Sequence, residues 1–113
     1  MMTNKSSKIE FNVSLDENQI PETIHWTSQD NNIFNADTKA LLLSVWDSKT
    51  HETLKMDLWT KEMPLQEMKV FFYQTLRSLA DTYQRATNDE KMSATMHDFC
   101  EYFAENQGLK KKN

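Results

Sequence analysis

At 113 residues the chain has room for one domain. With 38% apolar and 27% charged residues, it has the make-up of a globular protein that one core can hold together. A formal net charge of −4 argues against a general nucleic-acid binder. The single glycine excludes Gly-rich phosphate loops, and the single cysteine, Cys100, excludes an intramolecular disulfide and suits a reducing compartment.

Residues 1–7 are polar and aperiodic, which predicts a disordered tail ahead of a single α+β domain over 8–108, with a charged tail over 109–113. No signal peptide is read at the polar start, and no stretch approaches the roughly 18 apolar residues of a membrane span, so a cytoplasmic protein is expected. Ile9, Phe11, Val13 and Leu15 alternate with polar residues and predict a strand. Asp16 to Gln19 supplies a turn. A second strand follows, with Ile20, Ile24 and Trp26 on one parity, and a four-residue loop would pair Leu15 with Ile20, Phe11 with Ile24 and Ile9 with Trp26. Pro21 lacks an N–H, which favours an edge position for this strand.

Gln29 to Asp37 is polar and reads as a connection. Lys39 to Asp47 and Thr53 to Trp59 predict a second hairpin, turning at Ser48 to His51, with Val45 opposite Leu54, Leu43 opposite Met56 and Leu41 opposite Leu58. A helix beginning at Ala36, capped by Asn35, is the alternative, because the Leu41–Leu43 run is ambiguous by periodicity. Pro64 suits the first turn of a helix, and Leu65, Met68, Phe72, Leu76, Leu79 and Tyr83 form one apolar stripe along it. Thr87-Asn88-Asp89 breaks the helix, with Asp89 able to cap the next. Met92, Met96, Phe99 and Phe103 continue the pattern until Gly108. The expected architecture is ββββαα, a four-stranded antiparallel sheet of two hairpins covered on one face by a C-terminal helical hairpin. Phe72, Leu76 and Leu79 would then be buried against Leu43, Val45, Met56 and Leu58.

Chemistry-bearing patterns are scarce. His25, His51 and His97 fit no zinc or catalytic spacing, and no Cys-x-x-Cys, His-Glu-x-x-His or Gly-x-Ser-x-Gly occurs. Met92, Met96 and Cys100 sit at i, i+4 and i+8, a set of soft ligands suited to Cu(I), but Met and Cys are also adaptable core fillers and share their stripe with Phe99 and Phe103. Core packing is the stronger reading, and Cys100 is expected to be a slow-reacting, unmetallated thiol. Lys110, Lys111 and Lys112 form the one basic cluster and read as a solvated tail. Trp26 falls on the core parity of its strand. Trp46, Trp59 and Leu42 fall on the face of the second hairpin opposite Leu43 and Met56, where an aromatic and aliphatic patch marks an interaction surface. The opposing reading places both tryptophans at sheet ends, under the N-terminal tail or the Gln29–Asp37 loop.

Three stretches carry a resemblance: Leu43-Ser44-Val45-Trp46-Asp47, Met56-Asp57-Leu58-Trp59-Thr60-Lys61, and Asp89 to Met96 running into Asp98-Phe99-Cys100. With Lys8-Ile9-Glu10-Phe11 and the spacing to Trp26, they resemble the gliding-motility protein GldC family of Bacteroidetes, from about Lys8 to Glu105. The resemblance implies a small, soluble cytoplasmic protein associated with gliding over surfaces, with no catalytic residue and no cofactor to carry over. The expected function is therefore that of a non-enzymatic, protein-binding accessory factor, with Leu42, Trp46 and Trp59 as the candidate partner surface. Its partner would be a protein of the gliding or secretion apparatus, or a second copy of the chain meeting it through the sheets. Two other readings compete: single-strand nucleic-acid binding by base stacking on Trp46 and Trp59, which Asp57 and the net charge oppose, and a small Met/Cys metal protein.

Overall fold

The computed structural model describes residues 5–111. The chain forms two compact units, residues 1–63 and 64–113. The first is all strand: β1 (Ile9–Leu15), β2 (Pro21–Ser28), β3 (Ile33–Thr38), β4 (Ala40–Asp47) and β5 (Glu52–Trp59), with a single 3-10 turn at Gln29–Asn31. The second holds two helices, α1 (Leu65–Thr87) and α2 (Glu90–Asn106).

The expected four-stranded sheet is instead five strands in two antiparallel sheets, β1-β2-β3 and β4-β5. The stretch read as a connection contains β3. Its alternation is broken by a bulge opposite Trp26–Ser28 and by Asn35 at φ 50°, whose N–H is taken by the Thr27 hydroxyl. The 3-10 turn and Asn32, in the left-handed region, reverse the chain between β2 and β3.

The first hairpin is offset from its expected register. Phe11 lies opposite Trp26, Val13 opposite Ile24 and Ile9 opposite Ser28, with a bulge at Ser14/Leu15. The turn causes this. The Asp16 carboxylate accepts the N–H groups of Asn18 and Ile20, and Gln19 takes a positive φ, so the loop closes one residue later than assumed. The net slip for β1 is two residues, which keeps every side chain on its face. Phe11 and Trp26 stack at 5.6 Å between ring centres. Strand β2 is the middle strand, not an edge. Pro21 is tolerated because it is the first residue of β2, and β3 pairs only from Ile24 onward. Ile24 and Ser28 are the buried residues of β2, and the Ser28 hydroxyl accepts a hydrogen bond from Asn31.

The second hairpin has the expected register throughout. Asp47 organises its turn, accepting from the Lys49 N–H and the Thr50 hydroxyl, while His51 adopts φ 57°. Burial is concentrated at its base, at Leu41 and Thr60, and fades toward the turn. Leu43, Val45, Leu54 and Met56, expected to be core, are exposed, and their sheet offers them no third strand as a neighbour.

In the helical unit Pro64 occupies the N-cap of α1. Asn88 ends that helix in the left-handed region, and Asp89 caps α2 by accepting from the Met92 N–H at 3.0 Å. Gly108, at φ 75°, follows α2, and the N–H groups of Leu109 and Lys110 close on the Ala104 carbonyl. The seam between the helices is made of small residues: Ala80, Ser93, Cys100 and Ala104 are all buried. Ser93 donates its hydroxyl to the Ala80 carbonyl at 3.0 Å, and His97 Nε2 meets Asp81 Oδ1 at 3.0 Å. Phe72 and Leu79, expected to be buried, are exposed, and Leu76 is half-buried. The seam draws on the neighbouring stripe of α1 and leaves the large residues to one side. Lys110 is not simply solvated: it pairs with Glu101 at 2.8 Å and lies over the Tyr73 ring. Residues 1–4 of the expected N-terminal tail, and Lys112 of the basic cluster, lie outside the described residues.

Candidate protein-binding surface

The β4–β5 ribbon is built by two alternating strands joined through the Asp47 turn. Its register assigns each side chain to a face. Ala40, Leu42, Ser44 and Trp46 share one face with Thr53, Lys55, Asp57 and Trp59. Trp46 is 65% exposed and Trp59 is 55% exposed, whereas Leu42 is half-buried.

The structure brings two of the three candidates together. Trp59 lies opposite Ala40 and Leu42 lies opposite Asp57, so Leu42 and Trp59 are diagonal neighbours. Trp46 stands apart, opposite Thr53, six residues along the strand from Ala40 and roughly 20 Å away. The middle of the face is occupied by the Lys55–Asp57 ion pair. The surface is therefore a ribbon with an aromatic at each end and a neutralised pair between them.

His51 also contributes, which the sequence reading did not foresee. Its ring lies parallel to that of Trp46, with centres 6.3 Å apart and planes 4° apart. The signal available was the turn length: a four-residue loop closing on a left-handed residue returns His51 toward the strand carrying Trp46. At the base of the ribbon Lys61 pairs with Asp16 and approaches Glu22 at 3.9 Å, tying the end of β5 to the first hairpin. The ammonium of Lys61, then the Ile20 N–H, hold the Asp16 carboxyl below its ordinary value, and Lys61 is raised in turn.

Elsewhere the chemistry is sparse. His25 lies 3.7 Å from Asp37, and among the described residues no three His, Cys, Asp or Glu side chains are placed to hold a metal. Cys100 is buried in the helical seam, and that burial raises its thiol pKa. Met92 is exposed and Met96 half-buried on the same helix. No helix is long and apolar enough to cross a membrane among the described residues.

The model of the family described as gliding motility-associated protein GldC-like matches residues 21–109. The chain belongs to the GldC-like family. That span takes in all three tryptophans, strands β2 to β5 and both helices. Membership associates the chain with gliding motility, and this is not a known enzyme family. No curated protein and no solved structure matches the chain.

Proposed function

We propose that this GldC-like chain is a non-enzymatic accessory factor of the gliding apparatus, acting in the cytoplasm, that binds a protein partner through the β4–β5 face bearing Trp46, Trp59 and Leu42. The observation that supports this most is the exposure of two tryptophans on one face of a ribbon only two strands wide. Tryptophan is enriched among the anchors that dominate protein interfaces, and leaving such surface in water costs about 25 cal/mol per Å². The spacing suits an elongated ligand seated along the ribbon, anchored at Trp46 and Trp59. Base stacking is disfavoured because Lys55, the cation on this face, is paired to Asp57, and the chain is acidic overall.

The test is capture from gliding cells with wild-type, Trp46→Ala and Trp59→Ala baits, followed by titration of the purified partner. Each substitution should weaken binding by at least about 2 kcal/mol, near thirtyfold, as removal of an interface anchor does. Equal binding by all three proteins would refute the reading.

A further inference from the structure

The β4–β5 ribbon has an edge that the proposed function does not use. The pairing of the two strands runs without a bulge, and it continues past Trp59, where the Thr60 N–H donates to the Lys39 carbonyl at 2.8 Å. Backbone groups alternate sides along a strand, so Leu54, Met56 and Leu58 share the phase of Thr60 and are turned toward β4. Thr53, Lys55, Asp57 and Trp59 then direct their N–H and C=O groups to the other side. No further strand pairs with β5 there among the described residues. Glu52 to Asp57 are all exposed, and β5 has no proline and no bulge to blunt its edge.

The charges along β5 narrow what this edge accepts. Lys55 and Asp57 are opposite in sign and stand one on each side of Met56. Two copies of one strand related by a two-fold axis pair antiparallel. A register centred on Met56 sets Lys55 of one copy opposite Asp57 of the other, and the reverse by symmetry. Both are outward residues, so each such pair exchanges its two N–H···O bonds. The same register sets Leu54 opposite Leu58 and Met56 opposite Met56 on one face, and Thr53 opposite Trp59 on the other. Glu52 falls opposite Thr60, away from any acid. The two nearest registers that keep this phase are centred on Lys55 and on Asp57. They bring lysine against lysine or aspartate against aspartate, and like charges directly opposite are destabilising.

We propose that the free edge of β5 is a homodimer edge, where two copies join antiparallel about Met56 into a four-stranded sheet ordered β4-β5-β5-β4. A strand of another protein would have to carry this charge order in reverse, whereas a second copy supplies it by symmetry. A two-stranded ribbon is marginal by itself, and a sheet of three or more strands with an apolar face is not. A two-fold axis normal to the sheet keeps each side chain on its face, so the exposed Leu43, Val45, Leu54 and Met56 of both copies form one apolar surface. An edge contact is small, below the about 1,200 Å² at which stable interfaces begin, so the dimer is a weak one.

Sedimentation equilibrium of the full chain, from micromolar to submillimolar concentration, tests this with a charge-swap cycle. Wild type should associate to a dimer of the 13.4 kDa chain. Lys55→Asp and, separately, Asp57→Lys, both at exposed positions, should each raise the dissociation constant about tenfold while circular dichroism is retained. An equimolar mixture of the two variants should dimerise at least as tightly as wild type, because every opposed pair is then of opposite sign. A folding defect cannot produce that regain. Trp46→Ala should leave the dimer intact, which separates this edge from the proposed partner surface. The proposal is overturned by a wild type monomeric at every concentration, by single variants that associate as wild type does, or by a mixture as dissociated as its components. A dimer lost in Trp46→Ala would place the contact on the ribbon's face and overturn it equally.

Discussion

Ile24→Ala should remove more stability from the strand unit than truncation of the other large aliphatic side chains of the first sheet. Ile24 is 0% exposed, opposite Val13 on β1 and Thr38 on β3, whereas Ile9, on the same face of the sheet, is 59% exposed. The substitution deletes three carbons, about 2.4 kcal/mol of transfer free energy at ~0.8 kcal/mol per methylene. A middle strand held on both sides by ladder hydrogen bonds cannot collapse into the gap, so the cavity raises the loss to about 3–4 kcal/mol. Ile9→Ala, already largely in water, should cost under about 1 kcal/mol. Urea unfolding followed by tryptophan fluorescence is the appropriate assay. Trp26, Trp46 and Trp59 all lie within residues 1–63, so the signal reports the strand unit directly, while circular dichroism at the helical minimum reports α1 and α2. A loss of about 3 kcal/mol should lower the midpoint by more than ~1 M at a typical slope. Equal midpoint shifts for Ile24→Ala and Ile9→Ala would show that the core is not centred on β2.

Asp16→Asn keeps the turn's side-chain acceptor and removes the charge facing Lys61. Because the folded pKa of Asp16 lies below its ordinary 3.8, the pair's contribution is complete above that value and is lost as pH falls through the lowered one. The wild-type acid limb should therefore lose a component that the variant lacks, and superimposable stability–pH curves would count against the ion pair. Cys100, in the helical seam and with its thiol pKa raised by burial, should react with a thiol reagent only as fast as the helices open. Rapid stoichiometric labelling of the native chain would place it at the surface.

Local pattern determined much of this protein. The alternation of β4 and β5 around a four-residue turn carried their complete register, since a period of two and a short loop leave one pairing that matches apolar rungs. The stripe spacing, Pro64, Asp89 and Gly108 located both helices and their ends, because caps and periodicity are properties of neighbouring residues. The family resemblance rested on stretches within those same elements and β1–β2. Tertiary structure decided the rest. Strand β3, the central position of β2 and the slip of β1 depend on bulges and on left-handed Gln19, Asn32 and Asn35; none is a glycine, and although asparagine tolerates that region, Asn12, Asn18 and Asn31 do not adopt it, so residue type alone does not place the turns. The same holds for the surface. Register could place Trp46, Trp59 and Leu42 on one face, with the tryptophans at opposite ends, but it could not show that Leu42 is half-buried or that the His51 ring lies parallel to that of Trp46. Exposure depends on which elements lie alongside, and that is fixed by pairings between residues distant in the chain. The helical unit shows the same division: its apolar stripes were legible as hydrophobic, but only the close seam through Ala80 and Ser93 determined that Leu79 and Phe99 would face outward.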